Sequence, residues 1–325
     1  MDTRTPEVIV IGGAIVDVLL QPVDAGVFAH SSTAVEGIRL STGGDALNEA
    51  TVLARLGHPP LLATKLGGDA AAGLILDHCS REGVAVHAVR QPGLDTGVNA
   101  VLVAPSGERS FITNRNGSLR RLAIGDVLPA LEGPAFASAQ IVCLASMFVS
   151  PMLGIPEMAE LFSEIKASGK TLCADATRCK NGETLADAAP ALRHLDYFFP
   201  NLDEARALTG RAEPDAIADA LFDAGVKNAV VKLGSSGSLV RNAQGRWLAP
   251  CFPVARCVDT TGAGDTFAAS FIAALLEGRP PEQCAAYANA AASLCIEQLG
   301  ATTAVLDRAE IQRRFKEIRA QIRKF

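Results

Sequence analysis

Short uninterrupted apolar runs alternate with segments of helical spacing along most of this chain. The first run, Val8-Ile9-Val10-Ile11, stops at Gly12-Gly13. That is the pattern of a strand buried on both faces, whose usual home is a parallel sheet. Residues 46–56 carry apolar side chains at helical spacing and end at Gly57, a helix stop. From residue 140 the alternation is regular: a strand over 141–144, a helix opened by Pro156 and closed by Gly169, and a strand over 171–175. Asn201 caps a short helix ending near Gly210, and a helix over 214–224 precedes a strand over 229–233. A hairpin arm over 238–241, two long helices after residue 262 and a last helix over 307–324 complete the series. Ile311, Phe315 and Ile318 share one face of that last helix.

This order predicts an α/β protein whose parallel strands are joined by right-handed helical crossovers. Two stretches break the rule. Residues 14–42 and 96–116 hold alternating pieces such as Val98-Asn99-Ala100-Val101-Leu102-Val103, followed by the turn Pro105-Ser106-Gly107, and they predict a small separate sheet. No repeat or low-complexity linker interrupts the chain, so residues 1–325 read as one domain.

Charge narrows the partners. Thirty Lys plus Arg against 35 Asp plus Glu leave a net charge of -5, which gives no global field for nucleic acid or an anionic membrane. No uncharged apolar run approaches the ~18 residues of a membrane helix. The stretch from Val8 to Leu20 is broken by Gly12, Gly13 and Asp17 and reads as strand and turn, not as a signal peptide. The eight cysteines lie mostly in apolar runs and never as C-x-x-C, the usage of buried thiols in a reduced, cytoplasmic protein. Cys173 with Cys179, and Cys251 with Cys257, are too far apart for a zinc knuckle.

The chemistry concentrates in Asp259-Thr260-Thr261-Gly262-Ala263-Gly264-Asp265-Thr266-Phe267, at the start of an apolar helix. Small residues at a helix N-terminus let backbone N–H groups face an anion, reinforced by the helix dipole. Asp265, in the first turn, either complements that dipole or serves as a general base beside a bound phosphoryl group. No G-x-G-x-x-G follows the first strand, and Gly169-Lys170-Thr171 has Glu164 where the leading glycine of a P-loop belongs. Arg109, on the segment from Glu108 to Asn116, reads as an edge-strand charge or as a partner for an acidic group.

Further segments fall into a recognisable order: Gly43-Gly44-Asp45-Ala46-Leu47-Asn48, Gly67-Gly68-Asp69, Asn201-Leu202-Asp203-Glu204 and Leu233-Gly234-Ser235-Ser236-Gly237. With them the chain resembles the ribokinase-like (PfkB) carbohydrate kinases, in their bacterial sugar-kinase branch, along nearly its whole length. The resemblance implies a three-layer α/β/α sandwich with a mostly parallel central sheet, and a small β-sheet lid formed by about 14–42 and 96–116. It implies an enzyme that transfers the γ-phosphoryl group of Mg-ATP to a hydroxyl of a monosaccharide. Asp265 is then the base, and the Gly262, Ala263 and Gly264 amides the anion hole. Asp17, Gly43, Gly44 and Asn48 match sugar-binding positions. Asn201 and Glu204 match the phosphate and magnesium motif, with Glu204 acting through water. Lys232, Gly234, Gly237 and Asn289 fall along the nucleotide. Asp259 and Thr261, with the Gly300-Ala301 turn, match a loop that holds a monovalent cation, so potassium activation is a hypothesis.

Three features bear on the acceptor: Asp45 at a site that is often small, Thr177 where several sugar kinases have Asn, and the run over 108–116, whose Arg109 and Arg115 suit an acidic group. Arg115 and Arg178 point to a ketose or a sugar acid. A nucleoside acceptor is the alternative, disfavoured by the scarcity of aromatics for clamping a base, and a non-catalytic sugar- or nucleotide-binding regulator is the other. Exposed edges on the small sheet predict a homodimer through the lid.

Overall fold

A computed structural model describes residues 5–254, 256–302 and 307–325. The first half runs β1 (Val8–Ile11), β2 (Ile15–Gln21), β3 (Gly37–Gly43), α1 (Asp45–Arg55), β4 (Pro60–Gly67), α2 (Ala70–Glu82), β5 (Ala85–Gln91), β6 (Gly97–Val103) and β7 (Arg109–Thr113). It continues through α3 (Ile124–Val127), α4 (Gly133–Ser138), β8 (Ile141–Met147), α5 (Ile155–Ala167), β9 (Thr171–Ala176), α6 (Leu185–Leu192), β10 (Tyr197–Phe199), α7 (Leu202–Thr209) and α8 (Pro214–Asp223). The last part holds β11 (Asn228–Lys232), β12 (Ser238–Asn242), β13 (Gly245–Ala249), α9 (Ala263–Leu276), α10 (Pro281–Cys295), α11 (Arg308–Arg319) and β14 (Arg323–Lys324).

Among the described residues, one sheet has the order β14-β13-β12-β11-β10-β9-β8-β1-β4-β5. Its pairings are parallel from β5 to β11 and antiparallel from β11 to β14. Strand alternation divides the core in two. Val8, Val10, Cys143 and Val230 face α1, α2, α9, α10 and α11, whereas Ile9, Ile11, Val142 and Val231 face α5, α6, α7 and α8. Both faces of the central strands are therefore covered, which is why they read as unbroken apolar runs.

Helix α9 is buried from Thr266 to Ala274. Phe271 packs against Phe199 and Tyr197 with ring centroids 4.9 and 5.5 Å apart, fixing the helix to β10. Truncating a buried Phe of this kind costs ~3–5 kcal/mol.

The second sheet has the order β3-β2-β6-β7, with β2 and β6 parallel and both outer pairs antiparallel. Register places Asp17, Asn99, Thr113 and Arg109 on one face. The other face carries Ile38, Leu40 and Ile112, 65%, 63% and 56% exposed.

Two expectations need correction. The last helix stops at Arg319 rather than running to 324, because Arg323 and Lys324 pair with Leu248 and Trp247 of β13 and extend the sheet. The Lys324 ammonium also lies 5.0 Å over the Trp247 ring. Cysteine burial is incomplete: five thiols are buried, Cys179 and Cys251 are half-buried and Cys257 is exposed.

Candidate active site

The N-termini of α1 and α9 meet beyond the carboxyl ends of β1, β8, β9 and β11, where open α/β sheets place ligands. Gly262 caps α9 in the left-handed conformation, φ 76°. A Cβ there would lie 2.6 Å from Ala301 Cα, so the turn admits only glycine. The Gly262 and Gly264 amides have no hydrogen-bond partner among the described residues. Ala263 differs from expectation: its N–H donates to Thr260 O at 3.2 Å, which leaves the Gly262 and Gly264 amides as the open pair.

Asp265 follows in the first turn of α9, and its Oδ2 accepts from Asn48 Nδ2 at 2.7 Å. Burial and the neighbouring Asp45 carboxylate push Asp265 well above the usual carboxylate range, against the pull of Asn48 and Lys232. Lys232 ends β11 with its Nζ 2.8 and 2.7 Å from the two oxygens of Asp175, and 3.3 Å from where a Cβ on Gly264 would stand. Burial alone would discharge this ammonium, but Asp175, Glu204 and Asp265 outweigh it and keep it protonated.

On the small-sheet side, Asp17 Oδ1 accepts from Asn99 Nδ2 at 2.9 Å across the β2–β6 pair, and burial raises its pKa. A Cβ on Gly43 would fall 2.4 Å from Asp17 Oδ2, and one on Gly44 would fall 2.6 Å from Gly13 O at φ 95°. Both glycines therefore exist to let β1, β2 and the head of α1 approach closely. Asp45 heads α1, accepts from Ser146 Oγ, and is pushed up to about 6 by burial and by Asp175. Ser146 and Phe148 hold φ of 64° and 73°, an uncommon backbone for side-chain-bearing residues, at the end of β8. One turn along α1, Glu49 is fully enclosed: Oε2 accepts from Cys143 Sγ at 3.3 Å and Oε1 has no partner. Burial, with the Asp175 and Asp265 carboxylates, pushes its pKa well above the usual carboxylate range.

On the other side of the cleft, Asn201 and Glu204 form a capping box on α7: Asn201 Oδ1 accepts from Asp203 N at 3.0 Å and Glu204 N at 2.9 Å, and Glu204 Oε2 accepts from Asn201 N at 2.7 Å. The motif is thus structural at one end, while burial raises Glu204 to about 7 near Lys232. Gly234 opens a turn at φ 60° with open space beside it, and Gly237 at φ 95° abuts Ala249 O, 2.1 Å from a would-be Cβ. Asn289 is committed elsewhere than expected: it is 5% exposed, and its Nδ2 donates to Ser238 Oγ, Ala249 O and Pro250 O. It ties α10 to β12 and the end of β13.

Arg115 joins Asn116, Arg120, Arg121, Pro151 and Met152 around a cavity of about 320 Å³. Arg178 is exposed and does not line it. Leu122, next to Arg121, lines a small cleft together with Ser146, the donor to Asp45, so the basic cavity lies toward the Asp45 end of the site. Arg109, readable from sequence as an edge charge, instead donates to Asp259 and Thr261.

Asn99, Glu49, Asp175 and Arg120 belong to no motif of the sequence. Asp175 carried a signal, since it closes an apolar strand run much as Asp17 follows one. The others are visible only through pairing across the fold.

The sequence profile of pfkB family carbohydrate kinases matches residues 5–308. A ribokinase of Arabidopsis thaliana is 29% identical over 327 residues, covering 97% of this chain and 83% of that protein. A 2-dehydro-3-deoxygluconokinase of Bacillus subtilis is 28% identical, covering 79% and 81%. The solved structure of Arabidopsis thaliana ribokinase complexed with ribose and ATP superposes with a TM-score of 0.78 at 26% identity, covering 96% of this chain and 99% of that one. Ribokinase of Thermotoga maritima, at 24% identity and a TM-score of 0.79, shares the fold. With a profile match spanning most of its length and a ribokinase-like sheet order beneath it, this chain belongs to the pfkB family of carbohydrate kinases and is a sugar kinase.

Proposed function

We propose that this kinase transfers the γ-phosphoryl group of Mg-ATP to a hydroxyl of a monosaccharide bound between the small sheet and α1, and that the sugar carries a carboxylate. The observation that carries the reading is the convergence of three groups: the unpartnered amides of Gly262 and Gly264, the Lys232 ammonium, and a carboxylate of raised pKa, Asp265. Asp265 takes the hydroxyl proton as the oxygen attacks, while the amides and Lys232 meet the charge on the phosphoryl group. Asp17, oriented by Asn99, and Asn48 grip sugar hydroxyls. The small sheet acts as a lid that excludes water. ATP is supported by the relative solved with it, and Gly234 and Gly237 shape the strand end beside which it lies.

Magnesium fits the donors present. It takes hard oxygen ligands, keeps several waters, and uses one or two carboxylates plus substrate phosphates. Glu204 offers such a carboxylate, with only Oε2 bonded. A magnesium ion held there would supply positive charge against the phosphates.

A sugar acid is favoured by the cavity beside Asp45, where Arg115, Arg120 and Arg121 make no ion pair among the described residues. Guanidinium forks suit carboxylates. The continuous apolar face of Ile38, Leu40 and Ile112 supports self-association of the small sheet into a homodimer.

A coupled ADP-release screen over hexoses, ketoses, sugar acids and nucleosides tests the assignment. Turnover confined to sugar acids is expected. Nucleoside turnover without sugar turnover overturns it.

A further inference from the structure

Arg109 opens β7, the edge strand of the small sheet, and its register turns it to the face that carries Asp17 and Asn99. Its guanidinium crosses to the loop before α9. Nη1 donates to Thr261 Oγ1 at 2.5 Å and Nη2 to Asp259 Oδ2 at 2.6 Å. Both side chains are enclosed, 16% and 7% exposed, so solvent screens the pair weakly.

Asp259 has two more sets of donors. Its Oδ1 accepts from Thr261 N at 3.0 Å and from Thr261 Oγ1 at 2.7 Å, and its Oδ2 accepts from Gly300 N at 2.7 Å. Each carboxylate oxygen thus receives two donors. Burial opposes ionisation here, but these bonds and the charge of Arg109 overcome it and hold Asp259 below the usual range.

This is the loop that the family resemblance matched to a monovalent cation, and among the described residues its side-chain oxygens are already engaged. A metal ion needs oxygen lone pairs aimed at a common point. Both oxygens of Asp259 face hydrogens, and the hydroxyl of Thr261 lies between Asp259 and the guanidinium. The Cys295 thiol also meets the carbonyls of Thr261 and Ala301, at 3.6 and 3.7 Å.

The geometry points to Arg109 as the resident counter-charge of this loop: a guanidinium from the small sheet stands where a monovalent cation would, and latches that sheet to the segment entering Gly262. Arg109 is a positioning residue. It acts through Asp259 and Thr261 on the direction of the Gly262 and Gly264 amides. The kinetic consequence rests on reading those amides as the phosphoryl cradle, whereas the effect on stability does not.

The test compares the wild-type protein, Arg109→Ala and Arg109→Lys in potassium and in tetramethylammonium salts, by thermal melting and by the kcat and KM of ADP release. Wild-type Tm should be the same in both salts, and its kcat the same within about twofold. Arg109→Ala should lose at least about tenfold in kcat in tetramethylammonium, since an enclosed carboxylate is left uncompensated. Potassium should raise its Tm by occupying the vacated seat, with partial return of kcat. Arg109→Lys, which keeps the charge but not the fork, should fall between. Three results overturn the inference: a wild-type enzyme that loses about tenfold or more without potassium, an Arg109→Ala protein that matches wild type in both salts, or one impaired with no response to potassium in either readout. If no acceptor is turned over, the proposed activity fails, and the melting comparison still decides the inference.

Discussion

Asn48 Nδ2 donates to Asp265 Oδ2 at 2.7 Å, joining helix starts that lie 217 residues apart. The bond ties the carboxylate to α1, and it also lowers the pKa that burial and Asp45 raise. Asp265→Asn keeps the shape and removes the base. Turnover should fall by about 10² to 10⁴, with nucleotide binding by calorimetry retained. Near-wild-type turnover would remove Asp265 from the mechanism.

The pH profile follows from the same relationship. A base whose carboxyl is held above the ordinary range is protonated, and idle, at mildly acidic pH. The rate should therefore rise with pH through an acid limb displaced upward from about 4, the ordinary carboxylate value. Replacing Asn48 by Ala removes a hydrogen bond that favours the charged form, so this limb should move higher still. A limb that stays in place would mean that another group sets it.

Gly43 makes a prediction of a different kind. Its missing Cβ is the space that Asp17 Oδ2 occupies, at 2.4 Å. Gly43→Ala should displace that carboxylate and raise the KM for sugar by about 10- to 100-fold, the value of a lost charged hydrogen bond, while the KM for ATP changes little. An equal rise in both would place Asp17 outside the sugar site.

Glu49 contributes through stability. Its folded-state pKa lies above the unfolded value, so the folded protein holds that proton more tightly. The resulting stability is full below the unfolded pKa and is lost as pH rises toward the folded one. Glu49→Gln removes the titration. The variant should gain Tm relative to wild type, by more at about pH 8.5 than at about pH 5.5. A gain independent of pH would show that Glu49 is not held neutral.

Much of this could be read from the chain itself. Buried parallel strands announce themselves as continuous apolar runs, and the Gly-Ala-Gly-Asp turn keeps its residues adjacent, so the α/β class and the place of Asp265 in the first turn of a helix follow from local chemistry. Arg109 did not follow, because its meaning lies in Asp259, 150 residues away. Small side chains at the Gly-Ala-Gly turn suggest three open N–H groups, and only the path of the turn shows that Thr260 O accepts from that of Ala263. Asn289 lies on a helix that the sequence predicts, yet its amide is spent on Ser238, Ala249 and Pro250, bonds that sequence spacing does not reveal. At the end of the chain, helical periodicity continues past Arg319 in composition alone, and pairing with β13 decides otherwise.

The four-stranded small sheet supplies Asp17, Asn99 and Arg109, whereas Asp265, Lys232, Asp175 and Glu204 stand on the ten-stranded sheet and its helices. In the proposed reaction, one part of the grip on the acceptor and the transfer of the phosphoryl group fall to different pieces of architecture, with Asn48 on α1 joining the two. Such a division lets acceptor preference drift by changes in the small sheet while the transfer residues stay fixed. Because the two pieces meet through Arg109 and Asp259, a grafted small sheet would have to bring a matching basic residue with it to work.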